Sequence, residues 1–133
     1  MSNFKLSSRS IARLAGVEPE LLDVTARAIQ ITKVDFGIPE YGGMRTPQVQ
    51  NHLFKTVNKF RGPDGYEKIG KHQEGKAVDF YAYVLGAATW EELYLSQVAA
   101  AFLQAGNELN IPVRWGGLFK SWTDMPHIEL IED

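Results

Sequence analysis

Apolar residues recur at helical spacing between Glu18 and Thr32, where Leu21, Leu22, Thr25, Ala28, Ile29 and Thr32 fall on one stripe. Pro19 and the acids Glu18 and Glu20 suit its first turn, because proline has no amide to leave unpaired there and negative charge favours a helix N-terminus. A shorter helical turn over Leu6–Leu14 precedes it and is closed by Gly16. Val34–Ile38 alternates apolar with small or polar positions, which predicts a strand. Pro39 and Gly42-Gly43 then form a loop. Thr46-Pro47 reads as an N-cap followed by proline at the first helical position, and the helix continues through Val49, Leu53 and Val57. Residues 59–73 are loop-like, with a strong turn at Gly62-Pro63-Asp64-Gly65. Ala77–Val84, rich in aromatic and branched residues, predicts one strand, broken by Gly86. Thr89 with Glu92 three residues later predicts a capping box. The long helix behind it carries Leu93, Leu95, Val98, Ala99, Phe102, Leu103 and Leu109. Ile111–Trp115 is a short strand ended by Gly116-Gly117, and His127–Ile131 is the last strand.

The strands are short, and the connections do not repeat as βαβ units. The pattern therefore predicts an α+β fold, a small and largely antiparallel sheet with helices packed on one face. A length of 133 residues suits one domain spanning 1–133. Fourteen basic against sixteen acidic residues give a net charge of −2, which argues against a nucleic-acid binder working by bulk phosphate attraction. Cysteine is absent, which excludes disulfides, thiolate metal sites and cysteine nucleophiles. Any metal must then be held by Asp, Glu or the three histidines, His52, His72 and His127. No apolar stretch approaches the roughly 18 residues of a membrane span, so no stable membrane association is expected. The first residues lack the apolar core of a signal peptide, which predicts a cytoplasmic protein.

Two segments can carry chemistry. In His72-Gln73-Glu74-Gly75-Lys76-Ala77-Val78-Asp79, a continuous strand would put His72 and Asp79 on opposite faces, but Gly75 offers a turn that undoes this. In Asp124-Met125-Pro126-His127, the proline stiffens the approach to a strand that opens at His127. If the two strands are neighbours, two histidines and a carboxylate converge, and three N/O donors with one open position make the catalytic zinc pattern. Asp124 would then be a general base beside the metal. The competing reading makes His72 a polar loop residue, His127 a strand-edge histidine and Asp79 an acceptor of backbone amides. His52, mid-helix, reads as a surface or packing residue. Trp115, Phe119 and Trp122 could line a groove or belong to the core, the core being favoured for Trp115. Glu129 faces the same side as His127, either orienting a ligand or solvated.

Gly70-Lys71-His72-Gln73-Glu74-Gly75-Lys76-Ala77-Val78-Asp79 resembles the Ser-x-His-x-x-Gly-x-Ala-x-Asp signature of the D-alanyl-D-alanine carboxypeptidase and L-alanyl-D-glutamate peptidase family. These are zinc peptidases of bacterial cell walls with a hedgehog-like fold. Trp115 through Leu130 resembles the end segment of the phage endolysin branch, where an acid precedes the last zinc histidine by three. The opening from Phe4 and the segment Gly43-Met44-Arg45-Thr46 fit as well, and the likeness runs in order along nearly the whole chain. Gly70 departs from the signature's serine, and the loop from Lys59 to Lys71 is individual to this chain. The resemblance implies that His72, Asp79 and His127 hold one Zn2+. It implies that Asp124 takes a proton from the attacking water and passes it to the leaving amine. Arg45 would stabilise the oxyanion or grip a substrate carboxylate, where composition alone suggests a surface ion pair. Trp122 is a candidate for substrate contact.

The expected function is an endolysin that hydrolyses the L-alanyl-D-glutamate bond of the peptidoglycan stem peptide, as a monomeric catalytic domain without a wall-binding domain. It would wait in the host cytoplasm until a holin-type pore releases it to the wall. A D-alanyl-D-alanine carboxypeptidase and a non-catalytic wall-binding module are the alternatives.

Overall fold

A computed structural model describes residues 2–57 and 60–132; Lys59, at the start of the predicted loop, lies outside them. Helix α1 (Ser8–Arg13) is capped by Ser7, whose hydroxyl accepts from the Ser10 amide at 3.1 Å. Helix α2 (Pro19–Ile31) buries Leu21, Val24, Thr25, Ala28 and Ile29; of the predicted stripe Leu22 is only partly buried, Thr32 is the C-cap, and Val24 is added. Strand β1 is Asp35–Gly37, and helix α3 (Pro47–Thr56) starts where Thr46 accepts from the Val49 amide at 3.1 Å. Strands β2 (Ala77–Asp79), β3 (Tyr81–Val84) and β4 (Ala87–Thr89) follow, then helix α4 (Glu92–Leu109). Strand β5 (Val113–Trp115), a 3-10 turn (Gly116–Leu118) and strand β6 (His127–Leu130) complete the chain.

The α+β expectation holds, but the strands form two three-stranded antiparallel sheets, β1-β3-β4 and β2-β6-β5. The predicted strand Ala77–Val84 is in fact two strands, one in each sheet. The bend falls at Phe80, whose amide donates to the Pro126 carbonyl at 2.9 Å and whose ring is fully buried. That ring stacks on Phe102 with centroids 5.3 Å apart and meets Phe36 edge-on at 6.3 Å. Composition is alike on both sides of the bend, so only the change of pairing partner reveals it.

The capping box at Thr89 does not form. Thr89 pairs opposite Ala82 in the β3–β4 hairpin, and its hydroxyl accepts from the Glu91 amide at 3.2 Å. Glu91 is the N-cap of α4 and makes no side-chain cap bond. The hairpin turns at Leu85 and Gly86, both with positive φ, the backbone twist a two-residue hairpin loop needs. Helix α4 buries Leu95, Val98, Ala99, Ala101, Phe102, Ala105 and Gly106 and packs along α2. Leu93 and Leu109, among the apolar residues the helix carries, are exposed at 62% and 41%. Leu93 lies two residues before Leu95, about 200° around the helix from it. Leu109 is the last helical residue, beyond the last buried position at Gly106.

The sheet β2-β6-β5 separates core from chemistry. Val78, Ile128 and Trp115 are aligned across it, as are Leu130 and Val113, and this face joins the hydrophobic core. The alternate positions, Asp79 opposite His127 and Arg114 opposite Glu129, share the other face.

Truncating Leu95 to Ala should destabilise the fold by about 2–5 kcal/mol, whereas Leu93→Ala should stay within about 0.5 kcal/mol of wild type. Urea unfolding checks both, and equal losses would contradict the burial pattern of α4.

Candidate metal centre

Antiparallel pairing sets Asp79 directly across from His127. His72 arrives from the turn at residues 71–75, which folds back at Gly75 with φ +74°. A Cβ on Gly75 would come within 2.5 Å of the Gly16 carbonyl, so both its backbone conformation and its close approach require glycine. The turn brings His72 Nε2 to 3.2 Å from Asp79 Oδ1, and His127 Nδ1 lies 3.2 Å from the same oxygen. One donor atom from each of the three residues lies within 4.8 Å of the others, a spacing that can hold a metal ion.

Each donor is oriented by a further partner. His72 Nδ1 donates to the Gly43 carbonyl at 2.9 Å, so Nε2, beside Asp79, is the nitrogen the neutral ring would offer to a metal. His127 Nε2 lies 2.8 Å from Glu129 Oε1. Arg45 Nη2 donates to Asp79 Oδ2 at 3.0 Å, leaving Oδ1 to the two imidazoles. The other guanidinium nitrogens of Arg45 bond Gln50 Oε1 at 3.2 Å and the Tyr41 carbonyl at 2.7 Å. Three successive carbonyls thus serve the centre: Tyr41 accepts from Arg45, Gly42 from the Asp79 amide, and Gly43 from His72. A Cβ on Gly43 would run into the Arg13 carbonyl. The sequence marks this segment only as a glycine-rich loop; its carbonyl directions depend on contacts with α1 and β2 that have no local signature.

Asp124 stands beside the donors. Its Oδ2 is 3.7 Å from His127 Nδ1. Its amide donates to the Gly116 carbonyl at 2.9 Å, and a Cβ on Gly116 would collide with the Asp124 carbonyl. Gly116 therefore lets the strand β5 exit lie against the acid's backbone.

Burial alone would push the Asp79 carboxyl upward. The charge of His72 and hydrogen bonds from both imidazoles outweigh it and hold Asp79 well below the usual carboxylate range. Burial likewise disfavours the His127 imidazolium, but carboxylates at both ring nitrogens, Asp79 and Glu129, bring its pKa up to about 9. Asp124 is raised, first by burial and then by the charge of Asp79, so it holds a proton more readily than an ordinary aspartate. For Glu129, burial is outweighed by its bonds to His127 and Arg114, and its pKa is lowered.

The three donors open onto a cleft of about 690 Å3, whose lining includes Arg45, Asp124, Phe119 and Trp122. Trp122 is half-buried and meets Phe119 edge-on with centroids 6.1 Å apart. Trp115 packs against the core and donates its indole N–H to the Met125 carbonyl at 2.6 Å. His52 is exposed on α3 and outside the donor group. Glu129 is buried, with 5% exposure, so the solvated alternative is excluded. Gly70, the departure from the serine signature, has its reason in the loop: a Cβ there would come within 2.6 Å of Pro63 Cγ. That loop is well tied, since Gln50 and Asn51 donate to the Pro63 and Asp64 carbonyls at 3.0 Å each and Gln73 donates to the Gly65 carbonyl at 2.9 Å.

Three N/O donors facing an open cleft, with a separate acid alongside, have the make-up of a single-metal hydrolase centre. The model of the phage L-alanyl-D-glutamate peptidase family matches residues 1–131, and the chain belongs to that family. The L-alanyl-D-glutamate peptidase of Escherichia phage T5 is 35% identical over 116 residues, 86% of this chain and 80% of that protein. The crystal structure of the Serratia marcescens L-Ala D-Glu endopeptidase ChiX superposes with a TM-score of 0.80 at 31% identity, covering 96% of this chain and 90% of that one.

A group whose pKa folding raises stabilises the fold most while protonated. His127 is raised from 6.5 to about 9, so its contribution to the metal-free protein is complete below pH 6.5 and is lost as the pH rises through 9. Asp79 and Glu129 are lowered and stay ionised in that window. Urea unfolding in chelator should therefore give lower stability at about pH 10 than at about pH 6, and His127→Gln should flatten most of the slope. An unchanged slope in the variant would assign the effect elsewhere.

Proposed function

We propose that this protein is a zinc-dependent endopeptidase that cleaves the L-alanyl-D-glutamate bond of the peptidoglycan stem peptide. The observation that carries this reading is the convergence of His72, Asp79 and His127 beside Asp124 at one cleft. Two imidazoles and one carboxylate, with no thiolate in the chain, suit zinc with a position left open. His72 Nε2, Asp79 Oδ1 and His127 Nδ1 would hold the ion. Zinc supplies Lewis acidity there, lowering the pKa of water toward about 7 and polarising the scissile carbonyl.

The chain's own residues do the rest. Asp124, raised by burial and by Asp79, is suited to take a proton from the attacking water. The water oxygen bonds the alanyl carbonyl carbon, the C–N bond breaks, and the same proton passes from Asp124 to the departing glutamyl nitrogen. Arg45 pairs with Asp79 and sets positive charge on the cleft wall, where it favours the developing oxyanion. Trp122 offers a rigid apolar surface to the peptide. In this reading the protein acts as a monomer and is kept in the host cytoplasm until a holin-type pore gives access to the wall.

Mass spectrometry of purified peptidoglycan after digestion should show new L-alanine carboxyl termini and D-glutamate amino termini that vanish with chelator and return with zinc. Release of D-alanine alone would replace this reading with a carboxypeptidase. Asp124→Asn should keep its zinc while turnover falls by about 10²–10⁴-fold. Undiminished turnover would remove Asp124 from the chemistry, and loss of zinc would make it a ligand instead.

A further inference from the structure

We propose that Glu129, buttressed by Arg114 and Phe119, is a positioning residue that commits His127 to bind metal through Nδ1. The inference rests on the metal reading above. Its basis is a closed ring of contacts. Glu129 Oε1 lies 2.8 Å from His127 Nε2. Glu129 Oε2 accepts from Arg114 Nε at 2.9 Å and lies 2.8 Å from Arg114 Nη2. The Arg114 guanidinium carbon sits 5.3 Å from the centroid of the Phe119 ring. Phe119 returns to His127, its ring centroid 5.8 Å from the imidazole in an edge contact.

The sheet builds this ring. Glu129 is two residues past His127 on β6, so both point to one face, and Arg114 is its cross-strand partner on β5. An ionised carboxylate can only accept, so Glu129 holds a proton on Nε2, and in the neutral ring that a metal requires it is Nδ1, beside Asp79, that is left to bind. The Glu129 side chain is only 7% exposed, and a buried carboxylate without a counter-charge would be strongly unfavourable. Arg114 supplies that charge while its own side chain stays 58% exposed, so it is not itself heavily desolvated. Phe119 lies against the imidazole, and its edge contact opposes the ring flip that would exchange Nδ1 for a carbon.

The two histidines are therefore oriented by different devices. His72 is held by a neutral main-chain carbonyl, Gly43, inside the fold. His127 is held by a charged side chain whose supports, Arg114 and Phe119, both line the cleft. A charged acceptor strengthens the imidazole as a donor more than a neutral one does.

Zinc affinity, measured by competition with a chromophoric chelator, tests this without any assay of turnover. Glu129→Ala should weaken zinc binding by about 10–100-fold. Glu129→Gln, whose amide oxygen still accepts from Nε2–H, should recover part of that loss, and Arg114→Met should fall between wild type and Glu129→Ala. Imidazole 15N shifts of the zinc-loaded wild type should show His127 protonated at Nε2 and metal-bound at Nδ1. A folded Glu129→Ala protein within about twofold of wild-type affinity would overturn the proposal. So would metal on Nε2, a result that needs no variant to fold. A wild type that takes up no zinc would sink the metal reading itself, and this inference with it, whereas zinc bound normally without peptide cleavage would leave the positioning role to be decided by the affinities.

Discussion

The site hangs on one half-buried carboxylate. Asp79 receives both imidazoles at Oδ1 and Arg45 at Oδ2, and its amide donates to the Gly42 carbonyl at 2.7 Å. Removing a carboxylate from water is unfavourable by several kcal/mol unless its oxygens are well paired, so every partner of Asp79 is under geometric demand. The next residue is Phe80, whose ring stacks on Phe102 in the core. One bend in the chain thus sends a charge to the cleft and an aromatic ring to the core. Packing of Phe80 fixes where Asp79 can be, and pairing of Asp79 with His127 across β6 fixes the donor set.

This dependence explains what could be read along the chain. Helices α2 and α3 were legible because their signals are local: an apolar stripe, a proline in the first turn and a threonine that caps. His72, Asp79, Asp124 and His127 were legible because their residue types and spacings recur in a known signature, and Gly75 marked the turn that lets His72 face Asp79. The split at Phe80 was not, since Ala77–Asp79 and Tyr81–Val84 have the same strand-forming composition and differ only in their partners. Thr89 followed by Glu92 satisfies the capping pattern, yet the β3–β4 hairpin competes for the threonine and wins it. The carbonyl triplet at Tyr41, Gly42 and Gly43 and the pairing of Arg114 with Glu129 need tertiary placement and sheet register. Neither leaves a trace at short range. Gly70 was legible as a departure but not as a consequence, because Pro63, which excludes a side chain there, is seven residues upstream in a loop of its own.

Three acids in this site share one region and differ in what surrounds them. Asp79 is held ionised by two histidines and is paired with Arg45. Glu129 is held ionised between Arg114 and His127. Among the described residues no lysine or arginine pairs with Asp124, whose ionic contact is the 3.7 Å approach to His127. Burial and the neighbouring charge of Asp79 accordingly raise Asp124, while in the other two the paired charges outweigh burial. A carboxylate locked into charge-assisted bonds makes a firm ligand or support and a poor proton carrier, because protonation would break those bonds. The acid left outside the pairs is the one whose proton can come and go at little structural expense. The division among ligand, support and proposed base therefore follows from where Arg45 and Arg114 reach, and those reaches are set by the loop before α3 and by the register of β5 on β6.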